Sequence, residues 1–308
     1  MAGRIQEVKT PAKNRIKMRG SDKFFYAITT VLLVLLTIVV GYPLIYVVSC
    51  SVSSYNALST GRVMLWPVGF SLEGYQFIFK YKPVWTGYKN SIIYTFFSVL
   101  VTMFLQTLAA YPLSKRDYQG KKFFITYYFI VMLFHAGLIP TYLSRASLGL
   151  VGSPLAVILA GCVSMHNVLI LRTAFRGVPN ELYEAATVDG ASEFSVLIRI
   201  ALPLAKATIS VLTLYSIVGC WNDYFNPMLY LRDDKLFTLQ QVLRDILTGA
   251  ESIDTTKISS SEMKEQANKG KEQIQFALII VSTVPVFVAY LIVQKYFKRG
   301  VMIGSVKG

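Results

Sequence analysis

Five long stretches without a charged side chain constrain the fold of this chain more than any other feature. Each is long enough to supply the roughly 20 apolar residues that a helix needs to cross a bilayer. A sixth apolar stretch contains Lys206 near one end, where a lysine side chain can reach the headgroups. The sequence therefore predicts an all-α polytopic membrane protein. Its six expected spans are 24–49, 90–113, 123–143, 152–172, 200–222 and 274–294.

The composition agrees with a membrane protein. Mean hydropathy is +0.48 and 16% of the residues are charged, whereas soluble domains carry about a quarter. The formal net charge of +14 would also suit nucleic-acid binding, but basic residues at the cytoplasmic ends of membrane helices produce the same excess. We therefore expect membrane lipid around the chain and no nucleic acid partner.

Basic residues also predict the orientation. Residues 1–23 contain seven Lys or Arg against two acids, and the chain beyond residue 294 contains no acid. Because positively charged loops stay in the cytoplasm, both termini are expected inside, together with the 173–199 segment. The long 223–273 loop, with seven basic and nine acidic residues, is expected outside. The expected organisation has three parts. Residues 1–23 form a cytoplasmic N-terminal segment, and residues 24–296 form a six-helix membrane domain with outer loops at 50–89 and 223–273. Residues 297–308 form a cytoplasmic tail.

Pro285 lies within the last predicted span, where it removes one backbone hydrogen bond. A membrane helix tolerates this when neighbouring groups bond the freed carbonyl. Ser282 and Thr283 precede the proline and are candidates for that bond. The proline predicts either a simple kink or a hinge used in gating.

A polar segment rich in small residues separates the fourth and fifth predicted spans. Asn180 can cap a helix, and Glu181 and Glu184 suit the positive end of a helix dipole. Gly190 suits the end of the helix, because glycine adopts a positive φ easily. The segment predicts a short helix with a narrow apolar face, which an ordinary surface helix would also show. The residues that share this face are Leu182, Ala185 and Ala186.

The wider pattern of this segment is more specific. The pattern begins with Glu184-Ala185-Ala186, and Gly190 follows after three residues. It ends, after nine more residues, with Ile200-Ala201-Leu202-Pro203. This pattern resembles the signature loop of ABC importer permeases, and the chain is similar over nearly its whole length to the carbohydrate type, akin to the maltose-transporter permease. The long second outer loop and the C-terminal tail most resemble the subgroup that serves oligosaccharides and complex glycans. Other matching sequences are Leu65-Trp66-Pro67, Leu72-Glu73-Gly74-Tyr75, Trp221-Asn222-Asp223-Tyr224-Phe225 and Gln294-Lys295-Tyr296-Phe297.

The resemblance implies a type I ABC importer permease fold with a cytoplasmic coupling helix. The coupling loop, 179–203, would dock onto a partner ATPase, and the tail would reach between two ATPase subunits. The implied location is a bacterial plasma (inner) membrane. The implied partners are a second homologous permease, usually a different chain, two ATPase subunits and an extracellular sugar-binding protein. The implied ATPase contacts are Glu184, Ala185, Ala186, Asp189, Gly190, Ile200, Leu202 and Pro203 in the loop, and Gly304, Ser305, Val306, Lys307 and Gly308 in the tail.

The sequence offers no catalytic machinery of its own. It lacks the G-x-x-x-x-G-K-[ST] phosphate loop, so ATP and Mg²⁺ would be bound by the partner ATPase and no cofactor by this chain. We expect no catalytic residue and no metal site. Four residues at an outer helix end could line the translocation path, because sugars stack on aromatic rings and bond to polar groups: Trp221, Asn222, Asp223 and Tyr224.

Two other classes of function remain open from the sequence. A secondary transporter or channel would be expected to carry charged residues deep in several spans, and the first four predicted spans have none. A membrane-embedded enzyme would need acid, base or metal-binding groups at membrane depth. Within the ABC permeases, an amino-acid or phosphate permease is the nearest rival to a sugar permease.

Overall fold

A computed structural model describes residues 20–134, 136–248 and 270–304. This part of the chain is helical, with one isolated bridge between Ser53 and Phe70. The basic segment before residue 20, the 249–269 part of the second outer loop and tail residues 305–308 lie outside the described residues. The helices are α1 Gly20–Ser51, α2 Tyr55–Ser59, α3 Glu73–Lys80, α4 Lys82–Ser114, α5 Lys121–Leu133, α6 Leu138–Ser147, α7 Pro154–Ile158, α8 Met165–Arg176, α9 Asn180–Val188, α10 Glu193–Leu204, α11 Lys206–Asn222, α12 Phe225–Tyr230, α13 Leu239–Thr248 and α14 Lys271–Gly304.

Three of these helices are long and apolar enough to cross a membrane, namely α1, α4 and α14. Two further spans result if α5 with α6 and α10 with α11 are each counted as one bent span, the latter pair bending by 82°. The described helices thus provide three to five candidate spans. The six-span count is not reached.

The fourth predicted span, 152–172, is wrong as a continuous helix. Helix α7 ends at Ile158 and α8 begins only at Met165. Between them Gly161 adopts a φ of +66°, which a right-handed helix does not allow. The Ser164 side chain then accepts a hydrogen bond from the Asn167 N–H and caps the start of α8. Both α7 and α8 pack against α4.

Helix α4 connects the two main apolar cores of the molecule. Near its beginning, Val84 packs with residues of α3, α11, α13 and α14, including the buried Trp221. Near its end, Ala110 and Tyr111 pack with α8, α10 and α11, including Phe175. A displacement at one end of α4 is therefore transmitted to both cores, because packed interiors transmit strain.

Helix α14 passes through Pro285 as one continuous helix. Proline has no N–H to bond the carbonyl four residues earlier, which belongs to Val281. Tyr88 on α4 supplies the missing donor, its hydroxyl lying 2.8 Å from the Val281 oxygen. The expectation that Ser282 and Thr283 would do this is wrong, because both hydroxyls donate to the carbonyl of Ile279 instead.

Candidate functional site

The signature segment forms the predicted short helix, α9, at the end of the bundle. The prediction that Asn180 caps this helix is wrong, because Asn180 is its first residue and Pro179 occupies the cap position. The helix ends where Gly190 adopts a φ of +75°. There the N–H groups of Gly190 and Ala191 donate to the carbonyls of Thr187 and Ala186, which is the Schellman arrangement of helix ends. The predicted stop at Gly190 is confirmed.

The two faces of α9 have different surroundings. Tyr183 and Ala186 face the bundle, and Ala186 is buried. Leu182 and Val188 are exposed, Val188 to 87%. The expectation of one shared apolar face for Leu182, Ala185 and Ala186 is therefore wrong: Ala186 packs inward, whereas Ala185 is exposed. We use the name "outer face of α9" for Glu181, Leu182, Glu184, Ala185 and Val188, all of which are exposed.

A charged and aromatic cluster ties this region to the end of α4. The Tyr111 hydroxyl donates to a carboxylate oxygen of Glu193 at 2.7 Å, and the Lys115 ammonium lies 3.1 Å from the same oxygen. Lys115 also lies over the rings of Tyr111 and Tyr183, at 4.8 and 4.3 Å from their centroids. The Tyr183 hydroxyl donates to the Phe175 carbonyl of α8. We call Tyr111, Lys115, Tyr183 and Glu193 the anchor cluster.

The anchor cluster fixes α9 because its members come from three different elements. Tyr111 and Lys115 belong to the end of α4, Tyr183 to α9 and Glu193 to α10. Burial and the Glu193 charge raise the pKa of the Tyr183 phenol, so the ring stays neutral beneath the lysine. The position of α9 is thereby linked to α4, which connects the two apolar cores.

The α4–α5 loop and α9 line an open cleft of about 1330 Å³. On one wall, the Arg116 guanidinium lies 3.1 and 3.3 Å from the side-chain oxygen of Asn180, with the amide oriented so that its oxygen faces the arginine. Glu181 and Glu184 of α9 also line the cleft. The cleft has the dimensions of a groove for a protein element or a ligand, and its rim carries both signs of charge.

The second half of the signature lies in α10. Residues Leu197–Ala201 form one π-helical turn, and Leu202 and Pro203 follow it. Ile200 and Leu202 are half-buried, while Pro203 is exposed. Proline frees carbonyls in the preceding turn, and π turns often occur at functional sites. Ile200, Leu202 and Pro203 thus shape the return of the chain into the bundle, where it bends again before α11.

The four candidate path residues occupy different environments. Trp221 is buried, and its indole N–H donates to the Ser282 carbonyl at 2.9 Å. Asn222 and Tyr224 are exposed, and Asp223 is half-buried with both carboxylate oxygens bonded to Asn226. The structure thus places Trp221 in the packing of the bundle and leaves the other three accessible in part.

Sequence reasoning missed Tyr111, Lys115 and Glu193. Glu193 lies inside the predicted coupling loop, 179–203, and no role is predicted for it. Glu193 follows Ser192, whose side chain caps α10, so its place at a helix start was readable but its partners on α4 were not. The tail beyond Gly304 lies outside the described residues. Within the described ranges, no group of three metal-ligating side chains occurs.

Comparison with known families decides what kind of protein carries this arrangement. Residues 12–303 match the model of a family described as binding-protein-dependent transport system inner membrane components. The chain belongs to this family. The resemblance found in the signature loop is thereby confirmed, and so is the assignment as a transport subunit of an ABC importer with the type I permease fold.

Individual relatives agree with the family. Protein LplC of Bacillus subtilis (strain 168) is 35% identical over 266 residues, covering 86% of this chain and 89% of the relative. The polygalacturonan/rhamnogalacturonan transport system permease protein YtcP of the same organism is 32% identical, covering 95% and 100%. Among solved structures, a bacterial ABC transporter involved in the import of the acidic polysaccharide alginate contains a chain with a TM-score of 0.83 and 31% identity, covering 92% of this chain and 100% of that one.

Proposed function

We propose that this chain is one of two membrane subunits of an ATP-driven importer for an oligosaccharide or complex glycan. The sugar assignment is supported by relatives that handle pectin-type polysaccharides, arabinooligosaccharides and alginate. In this proposal the chain lies in a bacterial plasma membrane, with both termini in the cytoplasm. An extracellular solute-binding protein delivers the sugar, and ATP and Mg²⁺ are bound by two partner ATPase subunits.

The observation that carries the proposal is the outer face of α9. Leu182 and Val188 are apolar and exposed on a segment that the basic-residue distribution places in the cytoplasm. Exposed apolar side chains with a polar rim mark protein–protein contacts. Glu181 and Glu184 supply such a rim. We infer that this face, together with Asp189 and the turn at Gly190, seats in a cleft of the ATPase as the coupling helix.

The anchor cluster explains how motion of the ATPase would reach the membrane. A push on α9 acts on Tyr183, and through Lys115 and Glu193 it acts on the end of α4. Because α4 also packs in the core at the opposite end of the bundle, the displacement would tilt the helix rather than bend the loop. A rigid-body rocking of two permease subunits against each other would then alternate the access of the sugar site.

The proposal also covers the number of spans, the second permease, the tail and the outer end of the path. We propose six spans, with the region of α7 and α8 completing the count as a broken segment. The second permease is proposed to be a different homologous chain. The tail from Gly304 to Gly308 is proposed to contact the ATPases, and Asn222, Asp223 and Tyr224, with Trp221 behind them, to border the outer end of the path.

Affinity purification of the full chain in mild detergent tests the class of protein. We expect an ATPase, a second multi-span protein and a solute-binding protein to co-purify, and the captured binding protein to bind a sugar. The matched variant is Gly190→Trp, which disturbs the left-handed turn at a position where nothing lies within 4 Å of an added Cβ. We expect it to insert normally and to lose the ATPase. Sugar transport in vesicles that contain no ATPase would show instead a secondary transporter or channel.

A further inference from the structure

Two arginines surround one pair of stacked tyrosine rings at the junction of α6 and α12. The rings of Tyr142 and Tyr230 stack at 6.0 Å with an interplanar angle of 10°. The Arg145 guanidinium lies over the Tyr230 ring, 4.6 Å from its centroid. The Arg232 guanidinium lies 3.5 Å from the Tyr142 hydroxyl. We call these four residues the arginine–tyrosine cluster.

The cluster is built on a rigid support. Tyr230 is almost fully buried, and its carbonyl accepts a 2.7 Å hydrogen bond from the Gly152 N–H, which holds the α6–α7 connection against α12. The next residue, Leu231, is buried with Tyr94 of α4 and Val157 of α7. The two arginines therefore project from backbone that is fixed on both sides, as preorganised binding groups require.

Neither arginine has a carboxylate partner among the residues that the structure describes. Among these described residues, Lys115 at the end of α4 forms an ion pair with Glu193. Arg145 makes one hydrogen bond, at 3.4 Å to the side-chain oxygen of Asn226, whose amide nitrogen in turn donates to Asp223. This amide separates the Asp223 carboxylate from the guanidinium, so that Arg145 is oriented but not neutralised.

A half-buried arginine without a counter-ion in a membrane protein indicates a charged cargo. Taking a guanidinium partly out of water is costly unless an anion compensates it. The guanidinium group offers five N–H donors in a planar fork that matches a carboxylate, and Arg145 uses one of them here. The stacked tyrosine rings add a flat apolar wall beside the two cations.

We propose that Arg145 and Arg232 form a vestibule subsite for a carboxylated sugar, so that the imported oligosaccharide is an acidic one. This inference rests on the proposed function, in which α12 belongs to the second outer loop and the cluster faces the outer end of the path. Arg145 binds the sugar carboxylate in two hydrogen bonds, Arg232 adds a second positive charge, and the tyrosines support the ring.

The test uses the complete transporter in proteoliposomes, with both permeases, the ATPase and the cognate solute-binding protein. The probes are trigalacturonate and its methyl ester, which differ in charge on the same sugar scaffold. The variants are Arg145→Gln, Arg145→Lys and Arg232→Gln. The control is Arg62→Gln, which changes an exposed arginine of the first outer loop that takes no part in the cluster.

We expect Arg145→Gln to lower trigalacturonate uptake about tenfold, since loss of a charge-assisted hydrogen bond costs more than 1.4 kcal/mol. Uptake of the ester should change less than about twofold. Trigalacturonate uptake by the Arg145→Lys variant should fall between these limits, because lysine keeps the charge but lacks the planar pair of N–H donors. The Arg62→Gln variant should transport both probes normally.

Four results would overturn the inference. Equal loss of both probes would show that Arg145 only holds the loop. Unchanged uptake in both Gln variants would show that the cluster binds no carboxylate. A wild-type complex that imports neutral oligosaccharides and no uronate would show the same. Weaker docking of the binding protein would assign the cluster to that protein. A wild-type complex that imports no sugar at all contradicts the proposed function itself.

Discussion

Replacing Gln273 by leucine should destabilise the protein more than any other single polar substitution in α14. The Gln273 side chain is fully buried. Its oxygen accepts a hydrogen bond from the Gly74 N–H at the start of α3, and its nitrogen donates to the carbonyls of Ser71 and Ser51, at 2.6 and 3.4 Å. One amide thus joins the end of α1, the following loop and α3 to the last helix.

The magnitude follows from the groups that lose a partner. Leucine has a similar volume, so the substitution leaves little cavity and acts mainly by removing hydrogen bonds. Without Gln273, the buried Gly74 N–H and the part-buried Ser71 carbonyl lose their partner, which costs about 1–3 kcal/mol each. The longer contact to Ser51 adds little. The total is about 2–6 kcal/mol, which corresponds to a decrease of roughly 5–15 °C in the unfolding midpoint.

The assay is a thermal unfolding scan in detergent, followed by tryptophan fluorescence and by retention on size exclusion. The matched control is Gln275→Leu on the same helix. Gln275 is half-buried and makes one hydrogen bond, at 3.3 Å to the Ile246 carbonyl, so its loss should cost about 1 kcal/mol or less. Equal midpoints for the two variants, or a decrease below about 2 °C for Gln273→Leu, would refute this reasoning.

Three further predictions concern close packing, the proline site and coupling. In α4, Gly87→Ala should cost about 1–3 kcal/mol, because a Cβ there would lie 3.0 Å from backbone atoms of Leu239, whereas Gly219→Ala has open space and should be neutral or slightly stabilising in the same unfolding assay. Tyr88→Phe should cost about 1 kcal/mol or more by leaving the Val281 carbonyl unbonded, and a double-mutant cycle with Pro285→Ala should remove most of this cost, since alanine restores the backbone N–H. Additive effects would show that Tyr88 acts elsewhere. Glu193→Gln should change stability by less than about 1 kcal/mol, because the carboxylate is largely exposed, but it should lower sugar uptake per ATP hydrolysed by roughly 2- to 30-fold. An unchanged ratio of uptake to ATP hydrolysis would remove the anchor cluster from the coupling pathway.

The distribution of charged residues was sufficient to predict the long helices α1, α4 and α14. Hydropathy is a property of each residue, so it can be read from the sequence without knowledge of the fold. The breaks before α6 and α8 were not predictable in the same way. They depend on Gly137 and Gly161 adopting positive φ angles, and a glycine in an apolar run is equally compatible with a continuous helix.

Contacts between distant residues show the same limit more clearly. The helix α9 could be predicted from its own residues, because its start and its stop at Gly190 are local signals. Tyr111 and Glu193 are 82 positions apart, and nothing local to either residue indicates the other. Likewise Ser282 and Thr283 were the natural candidates to satisfy the Val281 carbonyl by sequence proximity, but the donor comes from Tyr88 on another helix.

Labelling of a cysteine at position 188 tests the central claim most directly, namely that the outer face of α9 is a cytoplasmic contact surface for a separate ATPase. Val188 is 87% exposed, and the three native cysteines, Cys50, Cys162 and Cys220, would first be replaced by serine. A membrane-impermeant maleimide should label Val188→Cys in inside-out vesicles but not in right-side-out vesicles, and bound ATPase should block the labelling. Labelling from the exterior, or labelling that the ATPase leaves unchanged, would contradict the account.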